Sequence, residues 1–124
     1  MTRTCLHCVL ARVLRAEADA LRERGLEVRL GPSDAVLLPA AGAATYRTVR
    51  ALLRAAIADA AGPRIRLAVV DQAGKSHVEV TAVFAADARR TRVLSCAFPR
   101  HDPGALAGGF AEHGAPEAVA PSPI

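Results

Sequence analysis

Between residues 45 and 98 the apolar pattern changes period once, and that change limits what the chain can fold into. From residue 45 to 60, Tyr46, Val49, Leu52, Leu53, Ala56, Ile57 and Ala60 recur at three- and four-residue steps, which puts them on one face of a helix. Arg47, Arg50, Arg54 and Asp59 fall mostly on the other face. From residue 65 the period drops to two. Ile65, Leu67 and Val69 alternate with Arg64, Arg66 and Ala68, and Val78, Val80, Ala82 and Phe84 alternate with His77, Glu79, Thr81 and Val83. Leu94, Cys96 and Phe98 then oppose Val93, Ser95 and Ala97. Turn residues separate the runs, first Asp71-Gln72-Ala73-Gly74-Lys75 and then residues 86–90. A helix followed by three alternating strands predicts an antiparallel meander with one apolar face that the helix covers. The Thr45 hydroxyl is the expected N-cap. Gly62 and Pro63 are the expected stop, with the glycine as a left-handed cap.

The upstream segment repeats the change of period on a smaller scale. Leu6, Val9, Leu10, Val13, Leu14, Ala18 and Leu21 form a helical stripe over residues 5–24, with Arg12, Arg15, Asp19, Arg22 and Glu23 on the wet face. Thr4 is its expected cap and Gly25 its C′ residue. Leu26, Val28 and Leu30 alternate in a strand over residues 26–30, a turn follows at 31–34, and residues 35–38 make a short strand ended by Pro39. The order is α-β-β-α-β-β-β. It specifies an α+β fold of two layers, with helices packed on one face of a mostly antiparallel sheet.

The chain has 124 residues, which is one domain's length. With no Trp, one Tyr and three Phe, its core is expected to be aliphatic. Residues 1–98 read as a single α/β domain. Residues 99–124 read as a Pro/Gly/Ala-rich tail, largely disordered, in which only Leu106 and Phe110 suggest a turn of helix. The net charge is +4, and Lys75 is the only lysine among the 16 basic residues. This arginine bias accompanies an Ala/Gly/Pro bias of the kind a GC-rich genome produces, so it does not by itself specify a nucleic-acid partner. No apolar run reaches the roughly 20 residues of a membrane span. Arg12 and Arg15 interrupt the first apolar stretch, against a signal-peptide core. A cytoplasmic protein with reduced cysteines and no membrane association is the expectation.

Two features carry candidate chemistry. Cys5-Leu6-His7-Cys8 is a C-x2-C pair, able to chelate Zn²⁺ or to act as a redox pair at a helix N-terminus. Cys96 and His101 are the candidate third and fourth ligands, with His7 or His113 as substitutes. In the competing reading Cys5 and Cys8 are small helix residues and Cys96 is a buried strand residue. A Zn²⁺-stabilised domain with a nucleic-acid-binding arginine face is one functional reading. The arginine face, Arg47, Arg50 and Arg54 with Arg64 and Arg66, could grip phosphates or an acidic protein partner, or could simply be solvated. No aromatics interleave it to stack bases. His7 and His77 read as exposed residues. There is no Ser/His/Asp order, paired-carboxylate cluster or phosphate loop.

Residues 21–83 resemble the front half of the histidine-kinase-type ATPase domain, the GHKL fold. The resemblance rests on the helix-to-strand join Arg24-Gly25-Leu26-Glu27-Val28-Arg29-Leu30 and on the short strand Ala35-Val36-Leu37-Leu38-Pro39. It continues through the helix from Tyr46 to Ile57 and the hairpin over residues 65–83. In that family the helix carries an N-box whose Asn helps to hold Mg²⁺ on the nucleotide phosphates. On the register set by Leu52-Leu53, the Asn positions fall on Ala51 and Ala55. The family's Asp-x-Gly-x-Gly, whose Asp binds adenine, would fall on Thr81-Ala82-Val83-Phe84-Ala85-Ala86, which has neither Asp nor Gly. The resemblance therefore implies a relative without ATP-binding residues. Such a relative would be a non-enzymatic signalling or interaction module with no cofactor and a protein partner.

Overall fold

The computed structural model describes residues 3–31, 35–72 and 74–101. Of the expected tail, residues 102–124, with Leu106, Phe110 and His113, lie outside the described residues, whereas Pro99 belongs to the last strand. The elements run β1 (Thr4–Cys5), α1 (Leu6–Ala16), α2 (Ala18–Glu23), β2 (Glu27–Leu30), β3 (Leu37–Leu38), α3 (Gly42–Asp59), β4 (Arg64–Val70), β5 (His77–Ala85) and β6 (Thr91–Pro99).

The meander forms with the expected faces. Strands β4, β5 and β6 pair antiparallel in sequence order, with Leu67 opposite Ala82 and Val80 opposite Cys96. Ile65, Leu67, Val78, Val80, Ala82, Phe84, Leu94, Cys96 and Phe98 are all buried. Helix α3 buries Val49, Leu52, Leu53, Ala56 and Ile57 and lies on β5 and β6. Helix α1 packs on α3 through Leu6, Val9, Leu10 and Val13. One continuous core thus joins the helix layer to one face of the sheet. Gly74 takes φ +86 in the β4–β5 turn, as a glycine there permits.

The upstream strands divide between two sheets. Strand β2 joins the main sheet at the edge beside β4, parallel to it, in the order β2-β4-β5-β6. A parallel pair needs a crossover, and α3 supplies it. Strand β3 instead pairs antiparallel with β1, two residues against two. The expected first turn of α1 is therefore partly strand. Thr4 is not the cap: its hydroxyl donates to Ala40 O at 2.7 Å. Cys5 is the N-cap, its sulfur accepting from the Cys8 amide at 3.3 Å. Leu30, expected to share the apolar face of Leu26 and Val28, is 46% exposed, and Leu37 of β3 is 55% exposed.

Three other expectations are corrected. The first helix is not continuous from 5 to 24 but breaks at Glu17 (φ −100°, ψ 11°) into α1 and α2. Helix α3 starts at Gly42, so Thr45 is inside it and donates back to Ala41 O at 2.9 Å; Thr48 does the same to Ala44 O. Gly62 is not a left-handed cap, because α3 ends in extended backbone at Ala60. Its role is close approach: the amides of Ala61 and Gly62 both donate to Ala85 O, and a Cβ on Gly62 would lie 3.3 Å from that of Ala85. Gly25 does behave as expected. With φ +66°, it closes α2 through Gly25 N–H to Arg22 O and Leu26 N–H to Leu21 O, a Schellman pair.

Candidate functional site

The arginines that sequence groups on one face are placed on two. Arg64 and Arg66 alternate with buried Ile65 and Leu67, so they point away from the helix layer. There they stand beside Glu27 and Arg29 of β2 and line a shallow hollow of about 530 Å³ with Pro63, Val83 and Ala85. Glu27 takes Arg29 at 3.2 Å and Arg64 at 3.6 Å. Arg47, Arg50 and Arg54 belong to α3, on the other side of the sheet.

Two of those helix arginines are engaged within the chain. Glu17 accepts from Arg50 Nε at 2.7 Å and from Arg54 Nε at 3.4 Å. Its side chain is only 5% exposed, while those of Arg50 and Arg54 are 38% and 63% exposed. The hydrogen bond that Arg50 donates to Glu17 raises its pKa above the ordinary value, so this guanidinium stays charged. Arg47 is exposed. Glu17 is absent from the sequence-level candidates, although a signal was present. Leu10, Val13, Glu17 and Leu21 share one stripe, so a carboxylate interrupts an apolar face, and Arg50 and Arg54 stand one turn apart on another helix.

The four candidate metal ligands are not brought together. Among the described residues no three of His, Cys, Asp or Glu gather in a way that could hold a metal ion. Cys5 is half-buried and Cys8 exposed at the start of α1, His101 is exposed beyond β6, and Cys96 is buried within β6 opposite Val80. Burial pushes the Cys96 thiol up to about 12, so it is a neutral core side chain at ordinary pH. The unfolded chain gives up this proton near 9.0 and the folded chain near 12. Stability from the buried neutral thiol is therefore complete below pH 9 and is lost as pH rises through that window, by at most about 1.4 kcal/mol per pH unit. Urea unfolding above pH 9 is expected to show a steeper loss in the wild type than in Cys96→Ala. Equal slopes would place the thiol in contact with water.

The two α3 positions that the sequence register singles out are Ala51 and Ala55. Ala51 is exposed on α3 and Ala55 half-buried. Strand β5 ends at Ala85, and a tight turn held by Ala86 N–H to Arg90 O at 2.8 Å leads directly into β6. Asp87, the first acid after the strand, is used inside that turn. Its carboxylate accepts the amides of Arg89 and Arg90 at 2.8 and 2.9 Å, and these bonds hold its pKa below the ordinary value.

No family model matches the chain, and no curated protein does. Solved structures do. The histidine kinase AdeS of Acinetobacter baumannii superposes with a TM-score of 0.54 at 18% identity, covering 67% of this chain and 41% of that one. The catalytic domain of the histidine kinase ThkA, in a nucleotide-free form, superposes with a TM-score of 0.56 at 17% identity, covering 68% of this chain and 57% of that one. A second nucleotide-free form of ThkA gives 0.53 at 18% identity. This chain thus spans about half the length of the kinase chains it matches. About two thirds of this chain, helices packed on a mostly antiparallel sheet, shares the fold of part of the histidine-kinase catalytic domain.

Proposed function

We propose that the chain is a non-enzymatic interaction module on a histidine-kinase-like fold, one that contacts a protein partner and binds no nucleotide. The observation that carries this reading is the side-chain inventory of α3 and the β5–β6 turn. Where the related ATPases use Asn to hold the metal on the phosphates, this helix offers Ala51 and Ala55, and neither side chain can ligate a cation. Where they use Asp against adenine, the strand runs through Ala85 into a turn that spends Asp87 on its own backbone. The fold is retained while the groups that would hold Mg²⁺ and adenine are missing from these positions.

Arg47 is an exposed cation of α3 from which a contact with an acidic partner surface would start, with Arg50 and Arg54 beside it but tied to Glu17. Calorimetric titration with Mg-ATP tests the reading. No heat of binding is expected up to millimolar nucleotide. A micromolar dissociation constant would overturn it, because binding of that strength needs phosphate and base contacts these residues do not provide.

A further inference from the structure

Cys5 and Cys8 stand at the start of α1, an eleven-residue helix, in an arrangement that the interaction-module reading does not use. Cys5 is the N-cap: its backbone is extended (φ −78°, ψ 112°) and its sulfur accepts the amide of Cys8 at 3.3 Å. The interaction of the two side chains lowers the Cys5 pKa and raises that of Cys8, and the backbone amide aimed at Cys5 sulfur favours Cys5 as the anion. Neither is sequestered, since Cys5 is half-buried and Cys8 exposed, whereas Cys96 is buried. Three residues along a helix separate Cα atoms by about 5 Å, from a rise of ~1.5 Å and a radius of ~2.3 Å. That spacing falls within the ~4.4–6.8 Å that a disulfide spans, so a bond across the first turn of α1 is within reach.

We propose that Cys5 and Cys8 form a peroxide-sensitive dithiol, with Cys5 as the attacking sulfur and Cys8 as the resolving one. The Cys5 thiolate attacks one peroxide oxygen; the O–O bond breaks, an S–O bond forms, and the other oxygen leaves as hydroxide and takes a proton to become water. The Cys8 thiol then loses its proton and its sulfur attacks Cys5 sulfur. The S–O bond breaks, the S–S bond forms, and the second oxygen leaves as water. Two thiols and one hydrogen peroxide give one disulfide and two waters. A dithiol reagent reverses the reaction by thiol–disulfide exchange. A backbone amide aimed at Cys5 sulfur, at the positive end of the helix dipole, stabilises the thiolate that starts the sequence.

The test is oxidation of the full chain with dilute hydrogen peroxide, followed by denaturation, thiol titration and peptide mass mapping. The thiol count is expected to fall from three to one, with a loss of two hydrogens confined to the peptide that carries Cys5 and Cys8. Dithiothreitol should restore all three. Cys96→Ala should lose both remaining thiols in the same way. Cys8→Ser should halt at a sulfenic acid on Cys5, trapped by a dimedone-type probe, and Cys5→Ser should leave Cys8 unoxidised under the same conditions. Three free thiols after oxidation, a bond only between two chains, or faster oxidation of Cys8 in Cys5→Ser than of Cys5 in Cys8→Ser would each overturn the proposal.

Discussion

Leu53→Ala is expected to lower the melting temperature by about 10 °C or more. Leu53 is fully buried, in the middle of the stripe that joins α3 to the sheet. Truncating a buried leucine costs about 2–5 kcal/mol, the transfer term plus the cavity that close-packed neighbours cannot fill. A domain of this size has about 5–15 kcal/mol to lose, and each kcal/mol moves the midpoint by several degrees. Leu37→Ala is the matched control. Leu37 is the same residue type but 55% exposed on β3, and its truncation is expected to change stability by about 0.5 kcal/mol or less. Thermal and urea unfolding of both variants would check the contrast. Equal effects would mean that α3 does not carry the core.

The legible parts of this fold are those whose signal lies within one element. Alternation over seven to nine residues placed β4, β5 and β6 with the correct faces, and the stripe of α3 placed its buried side. Gly25 and Gly74 marked the glycines of positive φ among the described residues. What stayed illegible depends on contacts between distant residues. Strands β1 and β3 are two residues each, too short for a period to show, and exist because Thr4 meets Leu38 across 34 positions of sequence. Leu30 lies on an edge strand, where β2 ends beyond the cover of the helices, so its alternation with Val28 did not ensure burial. The cysteines divided in the same manner. A buried Cys96 followed from the face it shares with Leu94 and Phe98. Its separation from Cys5 and Cys8 is a property of the assembled layers, which no spacing rule contains. The ATPase resemblance survived because it rested on the order of elements rather than on any single side chain.

The second large effect is expected at Glu17, where the two ways of breaking its ion pairs should be unequal. The double variant Arg50→Ala/Arg54→Ala leaves a carboxylate whose side chain is 5% exposed without a cation on either oxygen. A buried charge stranded in this way costs about 3–5 kcal/mol, because its desolvation is no longer offset. Glu17→Ala removes the buried charge instead. The arginines it releases are already partly in water and can complete their hydration by a rotamer change, so this variant is expected to lose far less. The triple variant should then be more stable than the double one, since deleting the stranded carboxylate relieves the penalty. Urea unfolding of the four proteins closes the cycle. The position of Glu17 at the break between α1 and α2 adds a readout that the arginines do not share. With alanine there, nothing draws residue 17 toward α3, and helical dichroism should rise slightly as the two helices join. If the double and single variants lose equal stability, then Glu17 is hydrated when unpaired, and the arginines of α3 are as free to meet a partner as Arg47.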